Sequence, residues 1–115
     1  MEIAVTADLH LAIKEDYPER YNALENILRQ IEEENIETLL IAGDLFDKDF
    51  QNYAEFENLC KKHPQIQIHI IPGNHDAGIS EKSIVGSNIH IYTVPTAVTL
   101  GSTMFLLIPY KEKTK

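Results

Sequence analysis

Tryptophan is absent from the 115 residues, and cysteine occurs once, as Cys60. A single thiol excludes an internal disulfide and any framework stapled by disulfides. Basic residues are scarce: 10 Lys and Arg face 18 Asp and Glu, for a net charge of −8 with histidines neutral. Broad non-specific contact with nucleic acid is therefore disfavoured, because phosphate binding draws mainly on Lys and Arg. Glycine and proline, five of each, are too few for a fibrous or low-complexity chain. Long apolar runs are missing as well. The longest, Leu39–Ala42 and Met104–Pro109, are strand-sized and far short of the ~18 residues of a membrane span. The start, MEIAVTADLH, lacks the basic flank, apolar stretch and cleavage site of a signal peptide, so the expected setting is reducing and cytoplasmic, away from membranes. What is present is an ordinary globular mixture, 43% hydrophobic and 24% charged. It suffices for one small core, and residues 1–115 read as a single domain without repeat or linker.

Apolar periodicity divides the chain. Ile3–Ala7 is a short β-branched run that ends at Asp8. From Pro18 onward, Tyr21, Leu24, Ile27, Leu28 and Ile31 fall at helical spacing, with Asp16 as the expected cap and Asn35 as the stop. Thr38–Ala42 reads as a second buried strand, closed by Gly43 and Asp44. Within Gln51–His63, the spacing of Tyr53, Phe56, Leu59, Cys60 and His63 predicts a second amphipathic helix, which Pro64 ends. Ile66, Ile68, Ile70 and Ile71 make a third strand before Pro72-Gly73. This βαβαβ start predicts an α/β fold with a parallel sheet and right-handed crossovers. Additional strands are expected at Ile89–Tyr92, Ala97–Leu100 and Met104–Ile108, with a hairpin around Leu100-Gly101-Ser102.

Each of the three parallel strands is followed by metal-compatible side chains. Asp8 and His10 follow the first, Asp44 and Asp47 the second, and Asn74, His75 and Asp76 the third. In open α/β sheets ligands bind outside the carboxyl ends of the strands, so these clusters converge on one crevice. Carboxylate, imidazole and amide oxygen without thiolate suit Mn²⁺, Fe²⁺, Zn²⁺ or Mg²⁺. A carboxylate with two oxygens can bridge two cations about 3.5–4 Å apart, the arrangement that clamps a phosphoryl group. Asp44, on the middle loop, is the bridging candidate. Singly, Asp-x-His or Gly-Asp after a strand is more often a turn or cap. Three such endings in register are what carry the reading.

The patterns D-x-H (Asp8, His10), G-D (Gly43, Asp44) and G-N-H-D (Gly73 to Asp76) resemble the calcineurin-like metallophosphoesterases. More narrowly, IAVTADLHLA, LLIAGDLFD, IPGNHD and LLIPY look like the SbcD-type exonuclease subunit of the double-strand-break repair nuclease, including its phage recombination relatives. The resemblance spans essentially the whole chain and implies a layered metallophosphoesterase sheet. It also implies two divalent cations, with Mn²⁺ the first choice and Mg²⁺, Fe²⁺ or Zn²⁺ the others. Carried over residue by residue, Asp8 and His10 would hold one metal, Asp44 would lie between two, and Asn74 would hold the second. His75 would be the proton donor or transition-state stabiliser and Asp76 would orient it. The implied reaction is in-line hydrolysis of a phosphodiester, with DNA as substrate. The implied partner is a long coiled-coil ATPase of the SbcC type, and the implied assembly is a homodimer.

One departure stands out. The family continues with a further His and a G-H-x-H motif that complete both metal shells, and this sequence holds neither. The expectation is a half site on the N-terminal part of a phosphoesterase domain, inactive alone and cut short after its Pro-Tyr segment. Two other readings stand beside the nuclease. A phosphomonoesterase or small-nucleotide phosphodiesterase on the same scaffold suits the charge of −8, whereas a non-catalytic structural fragment suits the missing histidines.

The remaining polar residues invite plainer readings. His69, between Ile68 and Ile70, should face away from them, packed under a helix or at the surface. His63 suits a helix C-terminus. His90 reads as a late-strand residue rather than a crevice ligand. Cys60 belongs to a core face, Glu32-Glu33-Glu34 to a solvated one, and Asp47 and Asp49 either support the site or are loop residues.

Overall fold

In a computed structural model, residues 2–47, 53–73, 84 and 86–109 are described. They form β1 (Ala4–Thr6), α1 (Pro18–Glu33), β2 (Thr38–Ala42), α2 (Ala54–Lys61), β3 (Gln67–Ile71), β4 (Ile89–Ile91), β5 (Thr96–Leu100) and β6 (Thr103–Leu107). The first four strands make one sheet in the order β1-β2-β3-β4, parallel throughout, and β5 pairs with β6 as a separate antiparallel hairpin. This is the α/β architecture that the βαβαβ periodicity predicts, with β4 adding a fourth parallel strand. The hairpin turns where expected, at Gly101, whose φ of +65° is left-handed.

Two helix boundaries differ in chemistry from expectation. Asp16 is not the cap of α1. Tyr17 occupies that position without a side-chain cap bond, and the Asp16 N–H donates instead to the Ile13 carbonyl at 3.1 Å. Pro18 in the first turn sets φ and has no N–H to satisfy, so α1 starts without a cap bond. The stop at Asn35 is as expected. Asn35 adopts φ +58°, its N–H donates to Glu32 O, and Ile36 N–H donates to Ile31 O, a Schellman closure. α2 begins at Ala54; positions 51 and 52 lie outside the described residues.

Parallel register puts Leu39 beside Ile68, and Ile70 between Ile41 and Ile91. That sheet face joins Tyr21, Leu24, Leu28 and Ile31 of α1 and Phe56, Leu59 and Cys60 of α2 in one buried cluster. Two right-handed crossovers running the same way along the sheet put both helices on that side. Cys60 is fully buried, and desolvation, with Glu57 nearby, pushes its thiol up to about 12. It is an inert core residue, as its helical position predicts. At the helix ends, His63 Nδ1 lies 2.5 Å from Glu32 Oε2, so part of the acidic run ties α1 to the end of α2 rather than only facing solvent.

Asn88 was not singled out by pattern, yet it is buried and holds the entry to β4. Its side-chain amide donates to the carbonyls of Cys60 (3.2 Å), His63 (3.1 Å) and Ile66 (2.9 Å). These oxygens lie in and just past the last turn of α2, where helical partners run out. Cys60 O and His63 O also accept main-chain bonds from the N–H groups of His63 and Ile66, so Asn88→Ala removes the side-chain bonds without orphaning those two carbonyls and is expected to lower stability by ~0.5–1.5 kcal/mol, read as a lower denaturation midpoint at unchanged slope.

The opposite sheet face carries Val5, Leu40, His69 and His90 in register. His69 does face away from its isoleucine neighbours. It is buried and stacks against His90 (centroids 4.9 Å apart) and Tyr92 (5.7 Å), with its Nδ1 2.6 Å from the Tyr92 hydroxyl. His90 bonds Gln67 Oε1 through Nε2 at 2.8 Å, so the structure places it in this stack and not in the crevice. Burial, and then the neighbouring His90, lowers the pKa of His69. A lowered folded-state pKa means that the unfolded chain binds the proton more readily. The stability linked to His69 is therefore fully present above its ordinary value near 6.5 and is lost as pH falls from there through the folded value. Denaturant titrations at several pH values are expected to show this acid-side loss in the wild type and a shallower one in His69→Phe.

Candidate metal centre

The loops after β1 and β2 are laced together by main-chain bonds. Asp8 N–H donates to Gly43 O (3.1 Å), His10 N–H to Asp44 O (3.0 Å), Leu11 N–H to Leu45 O (2.8 Å) and Asp47 N–H to Leu11 O (2.8 Å). Leu11, Leu45 and Phe46 are fully buried beneath this lacing and anchor it to the core. Tyr21 of α1 secures the outgoing chain, its hydroxyl donating to Ala12 O at 2.7 Å. Desolvation raises that phenol to about 12, with Glu55 and Glu15 adding to the shift, so it stays a donor across the physiological range.

Backbone strain gathers here. Among the described non-glycine residues, φ is positive at Asp8 (56°), His10 (50°), Asp44 (51°) and the helix stop Asn35. Asn, Asp and His tolerate this region better than other side chains, and such conformations persist where surrounding contacts impose them. The outcome is convergence: one ligand atom each from Asp8, His10 and Asp44 lies within 4.8 Å of the others. Three residues spread over two loops are thus brought together as the strand-end pattern predicts. Two carboxylates and an imidazole at this spacing fit one divalent cation of the borderline or hard class.

Glycines let the second and third loops approach. Gly43 has φ +91°, and a Cβ built on Gly73 would stand 2.6 Å from Asp44 Oδ1 and 2.7 Å from Asp44 N. Only a residue without a side chain fits between β3's exit and Asp44. An open depression of about 320 Å³ lies at this junction, bordered by Gly43, Asp44, Pro72, Gly73 and Ile108. The expected site residues Asn74, His75 and Asp76 lie outside the described residues, as does Asp49.

Asp47 is resolved in favour of a supporting position, its Oδ1 3.7 Å from His10 Nδ1. Arg20 escaped sequence reading altogether. Its Nη1 donates to His10 O at 2.7 Å and to Asp47 Oδ2 at 3.3 Å. An arginine in a polar first helical turn carries no pattern of its own, so nothing local marked it.

Among the described residues, no helix is long and apolar enough to cross a membrane. No curated protein matches the chain significantly. Among solved structures, the chain is similar to the Pseudomonas putida nuclease MPE, at 24% identity and a TM-score of 0.60, covering 84% of this chain and 50% of that one. The likeness is one of fold, and the chain spans about half the length of that structure. The model of the calcineurin-like phosphoesterases matches residues 1–112. That span contains Asp8, His10, Gly43-Asp44 and Gly73 to Asp76, and the chain belongs to the calcineurin-like phosphoesterase family.

Proposed function

We propose that this chain supplies the first half of a two-metal phosphodiesterase site acting on DNA, in a nuclease subunit of the SbcD type. The observation that carries the reading is the meeting of Asp8, His10 and Asp44 within 4.8 Å at the carboxyl ends of parallel strands. That the structural neighbour is a nuclease and the strings LLIAGDLFD and IPGNHD support the choice of substrate. In this reading Asp8 and His10 would hold one cation, Asp44 would lie between that cation and a second, and Asn74 would hold the second. Divalent cations, Mn²⁺ foremost, supply Lewis-acid polarisation of the phosphoryl oxygens and a nucleophile at neutral pH. His75 gives a proton to the leaving oxygen, since imidazole titrates near neutrality. Asp76 orients His75.

A net charge of −8 leaves little duplex affinity in this chain itself. The proposed coiled-coil ATPase partner supplies much of the DNA contact, with the working unit a cytoplasmic homodimer of the full-length subunit engaged in break repair or recombination. The same charge favours, as the second reading, a small phosphoester in place of DNA. Assaying the full-length protein with Mn²⁺ on linear duplex, single-stranded DNA and a phosphomonoester separates them. Hydrolysis of DNA, abolished by chelator, is expected. Turnover of the monoester alone would sink the nuclease reading.

A further inference from the structure

Arg20 and Asp47 have no part in the mechanism above, yet both reach the metal-binding histidine. Arg20 projects from the first turn of α1, and one nitrogen, Nη1, donates to the His10 carbonyl at 2.7 Å and to Asp47 Oδ2 at 3.3 Å. Its guanidinium carbon lies 4.0 Å from the centroid of the Tyr17 ring, which limits where the group can swing. The other oxygen of Asp47, Oδ1, faces His10 Nδ1 at 3.7 Å. Arg20 therefore touches the main chain of His10 and also the carboxylate that faces its ring.

The two contacts answer two needs. His10 sits at φ +50°, a conformation kept only where partners hold it. Its N–H is held by Asp44 O and its C=O by Arg20, so both main-chain polar groups are fixed. At 3.7 Å the Asp47 carboxylate is beyond direct hydrogen-bonding distance of Nδ1 and acts through its charge, which favours the tautomer with the proton on that nitrogen and the lone pair on Nε2. The Arg20 charge keeps Asp47 turned toward the ring. We propose that Arg20 and Asp47 are positioning residues that set the backbone, ring orientation and tautomer of His10 for cation binding. The proposal rests on the metal-centre reading and adds to it the pair that prepares its histidine.

The test is calorimetric titration of the full-length protein with Mn²⁺, paired with ¹⁵N shifts of the His10 ring in metal-free protein. Asp47→Ala and Arg20→Gln are expected to weaken Mn²⁺ binding roughly 10- to 100-fold, the usual effect of losing an outer partner of a metal-binding histidine. Asp47→Asn and Arg20→Lys should recover part of the loss, because an amide oxygen and an ammonium retain part of the hydrogen bonding. In metal-free Asp47→Ala the His10 nitrogen shifts should move toward a mixture of tautomers, with little change in thermal midpoint. Lys14→Ala, which breaks the exposed Lys14–Glu55 pair, serves as the control and should bind Mn²⁺ normally. Unchanged affinity in both Asp47→Ala and Arg20→Gln would overturn the proposal. So would a loss of affinity that tracks unfolding, or ring shifts that do not move. If the wild type binds no Mn²⁺, the metal-centre reading fails by itself, and the metal-free ring shifts still decide whether Asp47 sets the tautomer.

Discussion

Asp44→Asn is expected to reduce Mn²⁺ affinity ~10²-fold or more and to bring hydrolysis by the full-length protein to background. Losing an outer partner of a metal ligand typically costs 10- to 100-fold, and Asp44 is placed among the ligands themselves, within 4.8 Å of the Asp8 and His10 ligand atoms. The amide keeps one oxygen but carries no charge and cannot serve two cations as a carboxylate does. Asparagine is the appropriate replacement because the position has φ +51°, which Asn tolerates and Ala does not. Folding should survive. Asp8, Asp44 and Asp47 place three carboxylates around one junction, so removing one negative charge leaves the metal-free thermal midpoint unchanged or higher. Calorimetry and thermal denaturation of the same samples separate these effects. Retained affinity would remove Asp44 from the centre, and collapse of the fold would make it a structural aspartate.

Gly73→Ala is expected to damage the site through geometry alone. The added methyl would stand 2.6 Å from Asp44 Oδ1, 2.7 Å from Asp44 N and 3.0 Å from Gly43 Cα. Two of those atoms are backbone and cannot turn aside, so the loops after β2 and β3 must part. Forcing a methyl into a packed junction typically costs ~1–3 kcal/mol, and here the group pushed away is a metal ligand. Mn²⁺ affinity should fall at least tenfold with the loss of stability. Gly43→Ala supplies the contrast. Its Cβ would meet nothing nearer than Gly73 Cα at 3.4 Å, but its φ of +91° is hostile to any side chain. It should lose stability through backbone strain, on the order of 1–2 kcal/mol, with a smaller effect on cation binding. If Gly73→Ala binds Mn²⁺ as the wild type does, the close approach is not what holds Asp44 in place.

Much of this organisation is readable from periodicity. Tyr21, Leu24, Leu28 and Ile31 recur at helical spacing and are the buried residues of α1. The β-branched and leucine runs that end in Asp8 and Gly43-Asp44 became parallel neighbours because each is too apolar for solvent and each is followed by a helix-length crossover. Local chemistry was less legible at boundaries. Asp16 has the right residue type for a cap, but the turn from Ile13 uses its main chain instead. Asn88 gave no signal because its three carbonyl partners lie 22 to 28 residues away.

The sequence by itself determined the α/β class and the strand ends that carry carboxylate and imidazole, because these follow from side-chain period. Only the tertiary structure decided that Asp8, His10 and Asp44 share one point, that His90 stacks on His69 away from it, and that Arg20 reaches His10. Those relations depend on register between strands and on the direction in which long side chains return across the fold. Neither is encoded in the spacing of neighbouring residues; both are set when the sheet and its helices pack together.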